Sequence, residues 1–427
     1  MPNFSALPGF RDFYPDDFAV RSHIMRTWRE VARRYGFQEY DGPPLEPLEL
    51  YTEKSGPEIV QQLYNFMDKG DRPVALRPEM TPTLARMVGA RIGGMRKPVK
   101  WFSIPQLFRY ERQQRGRLRE HFQLNLDIVG EEDVSADADL LAAAIDMLRA
   151  FGLTEEDFVA RVSDRRFLRA IFVHAGVPTD KLPLAYNIVD KLEREGAATI
   201  HDRLVGEVRL HPEGAEQIID ALHRTSLDSV FELVRQHPAL HPEFLDLKRL
   251  FDNLAAMGLG GFVQIDLSIV RGLAYYTGTV FELFDRRGEL RAICGGGRYD
   301  DLLKQLSGTD VPALGFGMGD VVLAELLRDR GLLPQTGRSL DYYLIAKDWD
   351  QRKDLLNLAH RLRDTGHSVE YSFKPAGVNK QFKNASALGA RRTVVLGPDE
   401  VAEGVAVVRE MESGEETRVR IEELARP

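Results

Sequence analysis

Cysteine is almost missing from this sequence: Cys294 is the only one in 427 residues. A lone thiol excludes an internal disulfide and a multi-cysteine zinc cage, so neither an oxidising compartment nor a structural zinc is indicated. Lying between an apolar stretch and glycines in RAICGGGRYDD, it reads as a small packing residue and not as a nucleophile. Long apolar runs are also lacking; none approaches the roughly 18 residues of a membrane span. The opening MPNFSALPGFRDFYPDD has no basic segment followed by an apolar one, so no secretory signal is expected, and the expected setting is the cytoplasm without a membrane. Nor is positive charge in excess. A net charge of −8 argues against a protein that coats nucleic acid generally. Local basic clusters persist, from Arg109 to Arg119 and again at Lys374, Lys380, Lys383, Arg391 and Arg392; on charge alone they read as solvated surface. Phosphate-loop (GxxxxGK[ST]), HExxH and paired CxxC motifs are absent. GFGMGD has glycines at 315, 317 and 319, a spacing wrong for a dinucleotide fingerprint.

What is present is the composition of a soluble globular chain, 43% hydrophobic and 29% charged, long enough for two or three domains. The stretch AVRSHIMRTWREVARRYGF repeats its apolar residues at helical spacing until Gly36. DGPPLEPLELY follows, with prolines that suit an edge or entry strand, and then RPVALRPEM, KPVKWFSIPQLFRYE and REHFQLNLDIVG, separated by turn residues, which read as antiparallel strands. ADADLLAAAIDMLRAF is helical, RVSDRRF is strand-like, and a charged helical region runs to about Gly258 as an inserted module. Strand signals resume in GFVQIDLSIV, YYTGTVFELFD and LRAICGG. Beyond the Pro- and Gly-containing LLPQTGRSLD, strand and helix alternate as in a small α/β domain.

Three segments concentrate polar groups. In the first, strand alternation puts His121, Gln123, Asn125 and Asp127 on one face and Phe122, Leu124 and Leu126 on the other. A solvated outer face is the plainer explanation, but four arginines precede the strand, and Arg109 is set among apolar neighbours, where its planar fork calls for phosphate or carboxylate. The second, VRGLAYYTGTVFE, again sets an arginine, Arg271, before glycines and two tyrosines, which suits either a tight hairpin or a flat-walled site. The third is Arg77-Pro78-Glu79-Met80-Thr81-Pro82, where a helix-capping role for Thr81 is the simpler expectation.

Together these segments resemble the histidyl-tRNA synthetase family of class II aminoacyl-tRNA synthetases. LFRYERQQRGRLREHFQLNLDIVG resembles the second class II motif, VRGLAYYTGTVFE and CGGGRYDDLL the two histidine-specific stretches, PPLEPLELY the first motif and PALGFGMGDVVLAELL a weakened third. GVNKQFKNASALGARRTVVLG is similar to the family's anticodon-binding domain. The resemblance implies an α+β fold: a catalytic domain over 1–330 with an antiparallel sheet flanked by helices and a helical insertion at about 166–255, a linker at 331–340, and an anticodon-binding α/β domain over 341–427. It further implies ATP-dependent activation of L-histidine, transfer to tRNA(His), a homodimer and Mg²⁺, with no metal ligand assigned among the side chains. By the same resemblance Glu79, Met80, Thr81, Arg109, Gln123, Asp127, Arg271, Tyr275, Tyr276 and Tyr299 would bind histidine. Arg109, Glu111, Arg117, Arg119, His121 and Arg271 would bind ATP, and Arg109 and Arg271 would act in catalysis. Arg112 and Gln114 would meet the tRNA acceptor end, where an extra 5′ guanosine is typical of histidine tRNAs.

Three positions depart from the family pattern. Val322 stands where an arginine usually covers adenine and touches phosphate, Ala274 where aspartate is common, and His121 where a stacking phenylalanine is usual. The RGLAYY and GFGxGD pair resembles a branch that includes plant organellar enzymes. Compensation for Val322 is expected from Arg117 and Arg119, with His121 as a wall for adenine. The alternative is the synthetase-like regulatory subunit of ATP phosphoribosyltransferase, whose relatives usually lack a C-terminal domain such as this chain carries.

Overall fold

A computed structural model describes residues 4–55, 57–112, 114, 116–270, 276–334 and 340–424, without the side chains of 53–59. The chain divides into two compact units, Met1–Pro334 and Gln335–Pro427.

The first unit opens with helix α1, Pro15–Arg34. Proline at its start, Asp16 and Asp17 in its first turn and Arg33 and Arg34 in its last all favour a helix with this polarity. It ends at Gly36, whose φ of +76° few other residues tolerate. Ile24, Trp28, Val31 and Ala32 form the buried stripe.

The nine-stranded sheet behind α1 comprises β1 Gln38–Glu39, β2 Val99–Ser103, β3 Gln106–Phe108, β4 Glu120–Val129, β5 Phe158–Asp164, β6 Val263–Ile265, β7 Thr279–Asp285, β8 Cys294–Arg298 and β9 Ala313–Gly319. Its order is β1-β2-β4-β9-β8-β7-β5-β6, with β3 paired to β4. The centre is antiparallel, whereas β1 with β2 and β5 with β6 are parallel, so the sheet is mixed. RPVALRPEM gives the expected antiparallel strand, Pro73–Leu76, which lies in a separate three-stranded sheet with Leu45–Pro47 and Asn65–Met67. Helix α2, Thr81–Gly89, follows it directly.

One face of the central sheet is apolar. Leu124, Leu126, Phe281, Phe316 and Met318 are buried in one cluster with Trp28 of α1 and with Leu141, Ile145 and Leu148 of α3, Val134–Arg149. Fully burying a side chain such as Leu124 is worth roughly 1.5–3 kcal/mol, enough to fix the register that turns the alternate residues to the other face. Asp133 caps α3 by accepting from the Ser135 N–H at 2.9 Å. Buried Arg298, at the end of β8, pairs with Asp137 of α3 and donates to the Glu131 carbonyl at 2.8 Å, tying that strand end to the helix layer. Between β5 and β6 the chain makes a helical excursion from Arg165–His174 to His241–Ala256, both with a buried apolar stripe, and returns beside β5. Helix α4, Asp320–Asp329, leaves β9 directly.

The second unit has a five-stranded sheet of β10 Leu340–Ala346, β11 Val369–Tyr371, β12 Ala390–Leu396, β13 Val405–Glu410 and β14 Glu416–Arg420, ordered β11-β10-β12-β13-β14. Its apolar clusters lie on both sides of β10 and β12: Leu344, Leu358 and Val394 in one, Tyr343, Ile345 and Ala385 in the other. Among the described residues no helix is long and apolar enough to cross a membrane.

Candidate active site

On the face of the sheet away from α3, strand β4 turns its odd-numbered residues into two adjoining cavities. The smaller, about 100 Å³, is lined by Glu79, Thr81, Arg109, Gln123, Asn125, Asp127, Tyr276 and Tyr299 over a floor of Gly295, Gly315, Phe316 and Gly317. The larger, about 330 Å³, takes Arg109, Glu111, Arg117, His121, Gln123, Glu282, Arg291 and Cys294 among its walls, with Val321 and Val322 on one side. Arg109 and Gln123 belong to both.

The glycines that fail as a dinucleotide fingerprint explain the smaller cavity. Gly315, Gly317 and Gly319 recur at the strand period in β9 and lie opposite Asp127, Asn125 and Gln123 in the register. A Cβ on Gly315 would fall 2.1 Å from the Asp127 carboxylate, and one on Gly317 would fall 2.8 Å from the Gln123 amide. Any side chain at either place would fill the space, so the floor must be backbone.

In the smaller cavity Asn125, Asp127, Tyr276 and Tyr299 are buried, whereas Glu79, Thr81, Arg109 and Gln123 are half-buried. Asp127 is 4% exposed and accepts a hydrogen bond from the Tyr299 hydroxyl. Burial lifts its carboxyl to about 7, and the tyrosine bond opposes that rise. Arg298, one residue before Tyr299, anchors this strand end. Arg109 lies one residue beyond β3 and donates from Nε to the Pro78 carbonyl at 3.0 Å, which points its remaining donors toward the cavities. Burial, then the charges of Arg109 and Arg11, lowers the His121 pKa to about 3, so its imidazole is neutral at physiological pH.

A third layer holds the walls in place. Arg11 donates to Glu120 at 2.6 Å and to Asp320 at 3.0 Å, while Asp320 accepts from the Phe122 N–H at 2.9 Å. The N-terminal segment, β4 and the start of α4 are thereby joined. Arg77 is buried and spans Asp41 at 2.7 Å, the Gly42 carbonyl at 2.7 Å and the Gln106 carbonyl at 3.1 Å, fixing the turn that carries Glu79.

The structure brings Glu79, Thr81, Arg109, Gln123, Asp127, Tyr276 and Tyr299 together in the smaller cavity, and Glu111, Arg117 and His121 with Arg109 in the larger. Other expected residues lie elsewhere. Met80 is buried behind the wall, its sulfur 4.0 Å from Arg77 Nη1. Arg119 lies outside both linings, its guanidinium 4.3 Å from the Tyr110 ring centroid, and its Nε donates to the Glu111 carbonyl at 3.3 Å. Arg112 and Gln114 are exposed on the loop beyond the cavities. Thr81 is the first residue of α2 and makes no capping bond, so the capping expectation gives way to a lining role. Arg271 and Tyr275 lie outside the described residues. Sequence reasoning passed over Asn125 as a site residue, together with Glu282, Arg291 and the glycine floor; the two-residue recurrence of glycine opposite the polar strand was the available signal for the floor.

A mixed sheet carrying a buried acidic pocket beside a larger arginine-walled cavity, with an insertion between β5 and β6 and a separate C-terminal α/β unit, defines a class II aminoacyl-tRNA synthetase. Known proteins agree. A family model described as Histidyl-tRNA synthetase matches residues 9–320, and one described as Anticodon binding domain matches 342–426. The chain belongs to the histidyl-tRNA synthetase family. It is 45% identical over 428 residues to a histidine–tRNA ligase of Opitutus terrae, covering 99% of this chain and 98% of that one. With the chloroplastic/mitochondrial histidine–tRNA ligase of Arabidopsis thaliana it shares 41% identity over 416 residues, 97% of this chain and 85% of that one. A solved histidyl-tRNA synthetase from Nostoc sp. PCC 7120 matches with a TM-score of 0.85 at 27% identity, covering 99% of each chain. Likeness to the Bacillus halodurans ATP phosphoribosyltransferase regulatory subunit/histidyl-tRNA synthetase, at 22% identity and a TM-score of 0.78, shows the fold alone.

Proposed function

We propose that this chain activates L-histidine with ATP and transfers it to tRNA(His), with histidine in the smaller cavity and ATP in the larger. The observation that carries this reading is the junction: Arg109 and Gln123 line both cavities, so a carboxylate in one and an α-phosphate in the other would meet beside a fixed guanidinium. Imidazole presents polar nitrogens on a flat ring, and Glu79, Gln123, Asp127 and the Tyr299 hydroxyl supply matching polar partners that an apolar isostere would leave unpaired. Histidine's carboxylate attacks the α-phosphorus, pyrophosphate leaves, and the terminal ribose hydroxyl of the tRNA then takes the acyl group. Charge grows on the phosphate oxygens, and Arg109, with Arg271 as the family resemblance implies, stabilises it. Neutral His121 offers adenine a flat wall that carries no charge of its own. Mg²⁺ bound with ATP would add further neutralising charge, and Glu111 and Glu282 are the carboxylates of the larger cavity that could hold it.

The reading extends to the partners. Lys374, Lys380 and Lys383 of the second unit are exposed, as is Phe373, a set that suits phosphate contact together with stacking on unpaired anticodon bases. Arg112 and Gln114 stand exposed on the loop above the larger cavity's arginines, suited to an acceptor end. A homodimer is supported by Leu45, Phe66 and Met67, all exposed on the small three-stranded sheet. The single cysteine fits the reducing cytoplasm.

Histidine-dependent exchange of labelled pyrophosphate into ATP tests the chemistry; its absence from well-folded protein would overturn the enzyme reading. Removing the second unit from Leu340 onward should leave this exchange within about threefold while charging of tRNA(His) falls by about 100-fold, the scale of losing several base and phosphate contacts. Undiminished charging by the shortened chain would remove the second unit from tRNA recognition.

A further inference from the structure

The larger cavity has an apolar wall where a nucleotide site needs positive charge. Val321 and Val322, at the start of α4, form it, and the tip of the loop between β3 and β4 rests against it. At that tip Gly116 has a φ of +73°, and a Cβ built on it would lie 3.3 Å from Val322 Cγ2 and 4.0 Å from Arg291 Cδ. The loop tip thus occupies the space in front of the valine and reaches the stem of Arg291. Arg291 enters from the other side, just before β8, on the segment that also gives Ala292, Ile293 and Cys294 to the wall. Its side chain is exposed, and among the described residues none makes an ion pair or hydrogen bond with it. Of the neighbouring arginines, Arg117 is paired with Glu111, and Arg109 keeps its Nε on the Pro78 carbonyl at the junction of the two cavities. Exposed at the mouth and without an ion pair among the described residues, Arg291 can turn its fork onto an anion without breaking any bond described there.

We propose that Arg291 binds the polyphosphate of ATP, a cation delivered from the β8 side of the cavity where α4 offers only valine. This rests on the assignment of ATP to the larger cavity. It also moves the compensation for Val322 away from Arg119, which is stacked on Tyr110 outside the lining.

The test uses the full chain in histidine-dependent pyrophosphate exchange. Arg291→Ala should raise the KM for ATP by about 10- to 100-fold, the scale of one charge-assisted bond, and leave the KM for histidine within about twofold. Arg291→Lys, which keeps the charge but not the fork, should recover part of the loss. Inhibition by inorganic tripolyphosphate should weaken in Arg291→Ala by a similar factor, with inhibition by adenosine unchanged. An unaltered ATP KM in Arg291→Ala overturns the proposal, as does equal weakening of both inhibitors, which would make the arginine an adenine contact. Absence of exchange in the unsubstituted protein would instead remove the ATP assignment itself, and the proposal with it.

Discussion

The two cavities of the first unit share a wall, yet they are built by opposite means. The smaller is made of strand interiors and a helix start: Asp127 and Tyr299 are 4% and 3% exposed, and glycines of β8 and β9 form the floor. The larger is edged by loops, with Arg117 and Arg291 reaching in from segments that face solvent. Shape discrimination between amino acids needs donors and acceptors held to a fraction of an ångström, which packed elements provide. Holding a polyanion needs charge at roughly the right distance, and loop arginines provide that with less precision. Positions in the smaller cavity should therefore tolerate little change, while the charges of the larger can migrate between elements, as the pairing of Val322 with Arg291 illustrates.

Substitution at Asp127 should break the smaller cavity most severely. Asp127→Asn removes the anionic partner for imidazole and should cut histidine activation by about 100-fold or more, read as kcat/KM for histidine in pyrophosphate exchange. The same change should stabilise the empty protein at high pH. Because burial raises the folded-state pKa to about 7 from an ordinary unfolded value, the parent carries no cost below about pH 4, and the cost grows as pH rises and is complete above about 7. Denaturant unfolding should therefore favour Asp127→Asn over the parent by up to about 4 kcal/mol more at pH 8 than at pH 4. A stability difference independent of pH would show that the carboxylate is not held above its usual range.

The shared wall comes next. Gly317→Ala sets a methyl 2.8 Å from the Gln123 amide and should raise the KM values for histidine and ATP together, by about 5- to 50-fold, the scale of local overpacking. A rise in only one of them would separate the cavities functionally. Arg119→Ala should do least: it loses a stack on Tyr110 worth about 0.5–1 kcal/mol and a loop contact, and the KM for ATP should change by less than about threefold. A tenfold rise would bring Arg119 into the nucleotide site when substrate is bound and weaken the case for Arg291.

Much of this arrangement was legible before folding. The alternation of His121, Gln123, Asn125 and Asp127 with Phe122, Leu124 and Leu126 is a property of the strand period, and it correctly separates the polar, cavity-lining face from the core face. The helical stripe of α1, the inserted helices and the alternating strands and helices of the tail follow from periodicity in the same way. Less legible was anything that depends on which strand lies beside which. Met80 and Thr81 are adjacent in sequence, but a helix begins between them, and only Thr81 turns into the cavity.

The sequence by itself determined the elements, the polar face of β4 and, through its motifs, the family, because local periodicity and motif order are written along the chain. Only the tertiary structure decided that the face opposite the core lines cavities and is not a flat solvated surface, since β9 must pair with β4 before Gly315 and Gly317 can leave room beneath Asp127 and Gln123. It also decided which arginines are available. Arg117 and Arg119 look like the free cations in sequence, but one is paired with Glu111 and the other is stacked on Tyr110, whereas Arg291, some 170 residues further on, opens into the cavity. A charge is recognised by its distance to other charges in space, and separation along the chain does not fix that distance.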